Sequence, residues 1–139
     1  KAILLYSYLK TEDPKSDGTE YYLNNLINED KSDQYLVVAE EYISDNEVAN
    51  SDVYFNLSKI YLENANNKKE LKKIRPYIEK AIELNPSNSS SLLIQSVIEY
   101  KLNNKKEALQ LADHALSVAK ANGQNIKEIN EMISRLNTP

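Results

Sequence analysis

Asn66-Asn67-Lys68-Lys69-Glu70 returns 37 residues later as Asn103-Asn104-Lys105-Lys106-Glu107, and each copy opens a stretch with apolar residues at helical spacing. A period in this range marks helical repeat arrays, in which a single hairpin cannot bury its apolar face and stacks on its neighbour. In each copy an asparagine can cap the helix start, with Glu70 or Glu107 three residues later reaching back to a free amide. The pentapeptide therefore reads as the turn inside a hairpin together with the first turn of its second helix.

Around the first copy, Tyr54, Leu57, Ile60 and Tyr61 form the inward stripe of a helix capped by Ser51 or Asp52. Leu71, Ile74, Ile78, Ala81 and Ile82 form the stripe of its partner, and Asn85-Pro86 ends the hairpin. Pro76 lacks an amide hydrogen, which predicts either a kink or a short turn followed by a new helix start. Around the second copy, residues 89 to 91 form the cap region and Leu93, Val97 and Tyr100 face inward. Ala108, Leu111, Ala112, Ala115 and Leu116 follow as a stripe whose small members let helix backbones approach. Gly123 supplies a left-handed residue to end that helix. Ile126, Ile129, Ile133 and Leu136, with Asn125 and Glu128 as a further cap pair, predict a last helix with one apolar face, as the end of a stack requires. The longer run from Asn67 to Ala81 than from Asn104 to Ala115 predicts one extra turn in the first repeat's second helix, just before Pro76.

Upstream the pattern is weaker. Residues 2 to 9 are apolar nearly all round, which does not separate helix from strand, and leucine and alanine favour helix. Lys10 to Gly18, with Pro14 and Asp17, reads as a loop. Tyr22, Leu23, Leu26 and Ile27 predict a helix from Thr19 to about Asp30, and Ser32 or Asp33 can cap a second to Ser44, with Leu36, Ala39 and Tyr42 or Ile43 inward. The expected organisation is one helical-repeat domain over residues 1–139, comprising a degenerate hairpin (19–44), two repeats (51–86 and 89–121) and a capping helix (125–136).

At 139 residues the chain can bury a substantial core without covalent staples. It has no cysteine, which excludes disulfides and thiolate chemistry but leaves cytoplasm and periplasm both open. Its longest apolar run, Ala2 to Tyr6, is far below the roughly 20 residues of a membrane span. It begins at Lys1 without a signal peptide, so a mature fragment or an excised domain is expected. The net charge of −4 hides an imbalance: residues 1 to 67 hold five basic and thirteen acidic side chains, residues 68 to 139 twelve and eight. With a pI near 5.1, the lysines from Lys68 to Lys73 read as a solvated helix face, and no nucleic-acid partner is expected.

Residues 51 to 121 resemble two tetratricopeptide repeats. Asn104 to Leu116 carries the pattern most clearly, with Ala108 and Ala115 at its two small positions in the second helix. In the first repeat Tyr54, Leu57, Ser58 and Tyr61 match the large, leucine, small and tyrosine places, and Ala81 and Pro86 the late alanine and proline. Ile74 stands where a small residue is usual, and the second repeat lacks the closing proline because the pattern runs on through Ala119 to Ala121. The two degenerate repeats, their Asn-Pro ending and the Lys-Ala-Asn-Gly-Gln break also look like the helical module attached to some bacterial thioredoxin-like proteins.

The resemblance implies an all-α, right-handed stack of antiparallel hairpins, an α-solenoid, whose first helices line a concave groove. That groove would present Phe55, Asn56, Lys59, Leu62 and Glu63 from the first repeat and, with a one-residue uncertainty in phase, Ile94, Gln95, Ile98 and Lys101 from the second. An adjacent helix of the chain could instead cover this face. The implied partner is a protein or peptide, or an adjacent domain of a longer protein, held by a scaffold or accessory module. No cofactor, metal or catalytic residue is expected. The single histidine, His114, has no partner at ligand spacing, and Gly18 and Gly123, the only glycines, form no phosphate loop. A hydrolytic or metal-dependent domain using the carboxylates between Glu12 and Asp52 is the alternative. Ten tyrosines accompany one phenylalanine and no tryptophan; most fall on inward stripes, and Tyr6, Tyr8, Tyr21 and Tyr35 are left as interface candidates.

Overall fold

The computed structural model describes residues 2–12 and 17–139, which form eight α-helices and no strand. The chain divides into two compact units, Lys1–Ala49 and Asn50–Pro139. The first contains α1 (Ala2–Glu12), α2 (Asp17–Asn28) and α3 (Ser32–Asp45), all three in mutual contact. The second contains α4 (Ser51–Asn64), α5 (Lys68–Leu84), α6 (Ser89–Lys101), α7 (Lys105–Ala121) and α8 (Lys127–Asn137).

In the first unit the apolar run at residues 2 to 9 is helical, and both ends of the expected loop at Lys10 to Gly18 are helical too, residues 13–16 lying outside the described residues. Helix α1 continues to Glu12 and α2 already begins at Asp17, while Pro14 lies outside the described residues. The core is built on tyrosine. Tyr6, Tyr35 and Tyr42 are buried together with Leu23, Leu26, Val38 and Ala39, and the Tyr6 and Tyr42 rings meet edge to face at 6.4 Å. Each hydroxyl then needs an acceptor: Tyr6 donates to Asp45 at 2.8 Å and Tyr42 to Glu20 at 2.7 Å. Burial, and then the neighbouring Asp45, push the Tyr6 phenol well above its ordinary range. Tyr6 and Tyr35 are thus core residues rather than interface candidates; Tyr8 and Tyr21 stay exposed. The cap of α3 is Lys31, with no side-chain bond, instead of Ser32 or Asp33.

The second unit is two hairpins and a closing helix. Helix α4 pairs with α5, α6 with α7, and α8 packs on α7 and α6. The first helices α4 and α6 also touch directly. Tyr54, Leu57 and Ile60 of α4 and Leu71, Ile74, Ile78 and Ala81 of α5 are buried as their spacing predicts. Ala108, Ala112, Ala115 and Ala119 of α7 are fully buried, against Leu92 of α6 and Ile129, Met132 and Leu136 of α8. Their small size brings backbones close enough for the Ser96 hydroxyl of α6 to donate to the Ala108 carbonyl at 2.7 Å.

The doubled pentapeptide does not behave the same way twice. In the first copy the Glu70 amide donates to Asn67 Oδ1 at 2.9 Å, and the Glu70 carboxylate takes the amide of Asn66 at 2.6 Å, one residue before the cap. In the second copy Asn104 makes no side-chain cap bond; its amide nitrogen donates instead to the carboxylate of Glu99 at 2.8 Å. The expected Asn104 and Glu107 pair is absent because a buried carboxylate competes for the asparagine. Asn125 and Glu128 do not form a box either, since Asn125 accepts from the Lys127 amide in a local turn. Caps one residue earlier than expected do repeat: Asn50 accepts from Asp52 and Asn88 from Ser90, both at 3.0 Å.

Helix α5 runs without interruption through Pro76, so no new helix start occurs there. It is 17 residues long and so is α7, which removes the expected extra turn; α7 reaches equal length by continuing to Ala121. Helices α2, α6 and α7 end on left-handed residues, Asp30, Asn103 and Gly123 (φ 58°, 67° and 66°). In each case the next amide, that of Lys31, Asn104 or Gln124, donates back to a carbonyl in the last turn at 2.8 Å.

Glu99 is the buried charge of this unit. Its side chain is 2% exposed and receives Nε of Arg75 at 2.8 Å and an Nη of Arg75 at 2.5 Å, besides the Asn104 amide. These bonds tie α5, α6 and the turn into α7. The Arg75 bonds hold the Glu99 carboxyl below its ordinary range, outweighing the opposing effect of burial. Arg75 is 34% exposed, so the two partners are unequal: an abandoned arginine reaches water, an abandoned Glu99 does not. Arg75→Met is therefore expected to destabilise by about 3–5 kcal/mol at neutral pH, and Glu99→Gln by clearly less. In the parent the contribution is present above the unfolded carboxyl pKa of about 4.3 and is lost as pH falls through the lowered folded value. In Arg75→Met the carboxyl is shifted up, so acid relieves its penalty. Urea titrations at pH 7 and pH 4 should show the gap between parent and Arg75→Met narrowing at the lower pH.

Candidate binding face on α4 and α6

A first helix of a hairpin has one side for its partner and one for whatever lies in front of it. On α4 the buried side holds Val53, Tyr54, Leu57, Ser58 and Ile60. The side between these stripes holds Phe55, Asn56 and Leu62, half-buried, with Lys59 and Glu63 exposed. All five predicted residues of α4 thus retain access to solvent. The Ser58 hydroxyl turns inward onto the Tyr54 carbonyl of its own helix at 2.8 Å, and so adds nothing to this face.

On α6 the predicted positions separate. Ile94 and Gln95 are half-buried, Lys101 is exposed, and Ile98 is completely buried, at 0%. The cause is the phase of the helix. Helix α6 begins 38 residues after α4, Ser89 against Ser51, which makes Ser96 the equivalent of Ser58 and Glu99 that of Tyr61. In this register the counterparts of Phe55, Asn56, Lys59, Leu62 and Glu63 are Leu93, Ile94, Val97, Tyr100 and Lys101. Only Ile94 and Lys101 coincide with the predicted set. Leu93, Val97 and Tyr100 pack against the cluster of Ala108, Ala112, Met132 and Leu136, so α8 lies over the α6 part of the face. Ile98 belongs to the core.

The equivalence of Tyr61 and Glu99 also locates what periodicity missed. Tyr61 stacks on Tyr77 of α5 with ring centroids 6.0 Å apart, whereas Glu99 takes Arg75 of the same helix. The equivalent positions thus make different contacts: the aromatic stack closes the first hairpin on itself, and the buried ion pair joins α6 of the second hairpin to α5 of the first. The signal in the sequence is a carboxylate at a position whose repeat partner is apolar, with an arginine 24 residues before it.

A cleft of about 410 Å³ lies between the start of α6 and the start of α8, lined by Asn88, Ser89, Ser90, Leu93, Asn125 and Glu128 among others. None of the predicted face residues lines it. Gln124 crosses it, accepting from the Ser89 amide at 3.1 Å and donating to the Ser87 carbonyl at 3.0 Å, which fastens the α7–α8 connection to α6. Among the described residues, no three histidine or carboxylate side chains gather as a metal site would require, and no helix is long and apolar enough to cross a membrane.

No protein-family model and no curated protein matches the chain. Solved structures do. The TPR2B domain of yeast Sti1, in its pHsp70 complex, superposes with a TM-score of 0.71 at 14% identity, covering 89% of this chain and 97% of that one. The TPR domain of Arabidopsis OM64 superposes at 0.70 with 22% identity, covering 89% and 95%, and the Sgt2 TPR domain from Aspergillus fumigatus at 0.66 with 15% identity, covering 88% and 77%.

The separation of α6 into core and surface is measurable by stability. Ile98→Ala is expected to cost about 2–5 kcal/mol in denaturant titrations, as a large-to-small change in a packed interior does. Lys59→Ala and Lys101→Ala, both exposed, are expected to stay within about 0.5 kcal/mol of the parent. The likeness to these three domains shows that the chain has the all-α, tetratricopeptide-like fold of stacked helical hairpins.

Proposed function

We propose that this chain is a protein–protein interaction module in which the outer face of α4, extended by Ile94 and Lys101 of α6, holds a peptide or an adjacent domain of a longer protein. The observation that carries the reading is the character of that face. Phe55, Leu62 and Ile94 are apolar side chains stopped halfway to burial, set among Asn56, Lys59, Glu63 and Lys101, on two helices that touch. An apolar floor with a few polar groups suits an extended or helical peptide, whose backbone needs partners and whose side chains need pockets. The yeast Sti1 domain of like fold was solved as a complex with pHsp70, which supports a partner-holding use of this fold.

A hydrolytic or metal-dependent role for the acidic segment has less to recommend it. Glu20 and Asp45 accept tyrosine hydroxyls, and Glu29 pairs with Lys31 at 3.0 Å. These carboxylates serve the packing and capping of α1 to α3, and a carboxylate catalyst requires two such groups across a cleft in contrasting surroundings.

The test is a pull-down with the whole chain as bait against the triple variant Phe55→Ala, Lys59→Ala, Ile94→Ala. Proteins recovered by the parent and by a Lys120→Ala control are expected to fall at least about tenfold with the triple variant, a loss of roughly 1.4 kcal/mol in binding. Helical circular dichroism should stay unchanged. Equal recovery by the triple variant would overturn the reading.

A further inference from the structure

The connection between α7 and α8 contains Asn122-Gly123, and every other asparagine of the chain is followed by a residue that carries a side chain. We propose that Asn122 is a deamidation site, and that its conversion to aspartate or isoaspartate is a covalent switch that releases this connection from α6.

The reaction needs a backbone nitrogen that can reach the side-chain carbon of the residue before it. Gly123 has no Cβ to hinder that approach, and apart from its chain neighbours no heavy atom lies within 4 Å of where a Cβ would stand. Both Asn122 and Gly123 are exposed. Among the described residues the Gly123 amide donates to no protein acceptor, whereas the amides on either side do, Asn122 to Val118 at 3.1 Å and Gln124 to Ala119 at 2.8 Å. The Gly123 N–H is thus open to base from solvent. Once deprotonated, its nitrogen bonds to Asn122 Cγ and the side-chain nitrogen leaves as ammonia, closing a succinimide ring. Water then adds to one ring carbonyl and breaks that carbon's bond to the Gly123 nitrogen, which regains a proton. Opening at Cγ gives aspartate; opening at the main-chain carbonyl leaves Gly123 joined through Cγ, as isoaspartate.

The fold sets the timing and the consequence. At Asn122 ψ is 8°, which turns the Gly123 nitrogen away from Cγ, and the Asn122 side-chain amide is held by the Val118 carbonyl at 2.8 Å. Ring closure therefore waits for the last turn of α7 to open, and helix ends open at little cost. The product cannot restore what the asparagine held. A carboxylate has no proton to give Val118, and it brings a negative charge to the end of α7 where the free carbonyls already concentrate one. Isoaspartate also lengthens the main chain by a methylene, two residues before the side chain that fastens the connection. That side chain is Gln124, which takes the Ser89 amide at 3.1 Å and gives to the Ser87 carbonyl at 3.0 Å. A displaced turn draws Gln124 out of both bonds and frees the start of α6.

The test incubates the whole folded chain in mildly alkaline buffer beside a sample unfolded in urea, and digests both with trypsin. Cleavage after Lys120 and Lys127 frees residues 121–127, in which Asn125, followed by Ile126, is an internal control. Mass spectrometry should show Asn122 of the folded chain exchanging its amide nitrogen for oxygen at least about tenfold faster than Asn125, and the unfolded chain converting faster still. Methylation by an isoaspartyl methyltransferase identifies the isoaspartate. The Ser89 amide reports the fastening, because Gln124 is its partner. In the converted protein and in Asn122→Asp it should exchange with deuterium at least about threefold faster than in the parent at low salt, read by NMR, with helical circular dichroism unchanged. Gln124→Ala removes the fastening without conversion and should accelerate the same amide. No conversion at Asn122 in the folded chain would overturn the proposal. Unchanged Ser89 exchange in both the converted protein and Asn122→Asp, or in Gln124→Ala, would show that conversion releases nothing and overturn it as well.

Discussion

A helix packed against four others has little room for polar groups on its buried sides, and α6 is such a helix, touched by α4, α5, α7 and α8. Yet it buries Ser89, Ser91, Ser96 and Glu99. The second unit is arranged so that this costs little. Ser96 reaches the Ala108 carbonyl, Glu99 takes both Arg75 and Asn104, and Gln124 folds back over the Ser89 amide. No buried polar side-chain atom among the described residues lacks a partner. Because an unmatched buried carboxylate would be far more damaging than the pair is beneficial, the Glu99 contact works chiefly as a constraint on register: α5, α6 and the turn into α7 fit together in one arrangement.

The two units solve the same problem with different materials. The first uses tyrosine, whose rings fill space and whose hydroxyls are spent on Asp45 and Glu20. The second uses an alanine row on α7 against leucine, isoleucine and methionine from α6 and α8, so that close backbone approach replaces bulk. Leu93, Val97 and Tyr100 of α6 pack against the cluster that holds Met132 and Leu136 of α8, while Phe55, Asn56 and Leu62, their neighbours in kind on α4, are half-buried.

Much of the helical layout was legible in the sequence. Apolar residues at helical spacing located the helices, since a helix must bury one stripe whatever its surroundings, and Gly123 stopped α7 where a left-handed residue was needed. What periodicity could not supply was the phase of α6. With a polar residue inside and apolar residues on several sides, its stripe has no clean centre, and the choice of Leu93, Val97 and Tyr100 over Leu92, Ser96 and Glu99 cannot be made locally. The misplacement of Ile98 in the candidate face follows from that ambiguity.

The doubled Asn-Asn-Lys-Lys-Glu marks the division most clearly. By itself the sequence determined that two turns recur 37 residues apart, each opening a helix, because capping and helical periodicity are local and depend on residues within a few positions of each other. Only the tertiary structure decided what each asparagine does. Asn67 sees solvent and its own helix, so it caps. Asn104 lies beside a carboxylate that other helices have shut away from water, and a buried charge takes a hydrogen-bond donor ahead of a helix end that water can reach.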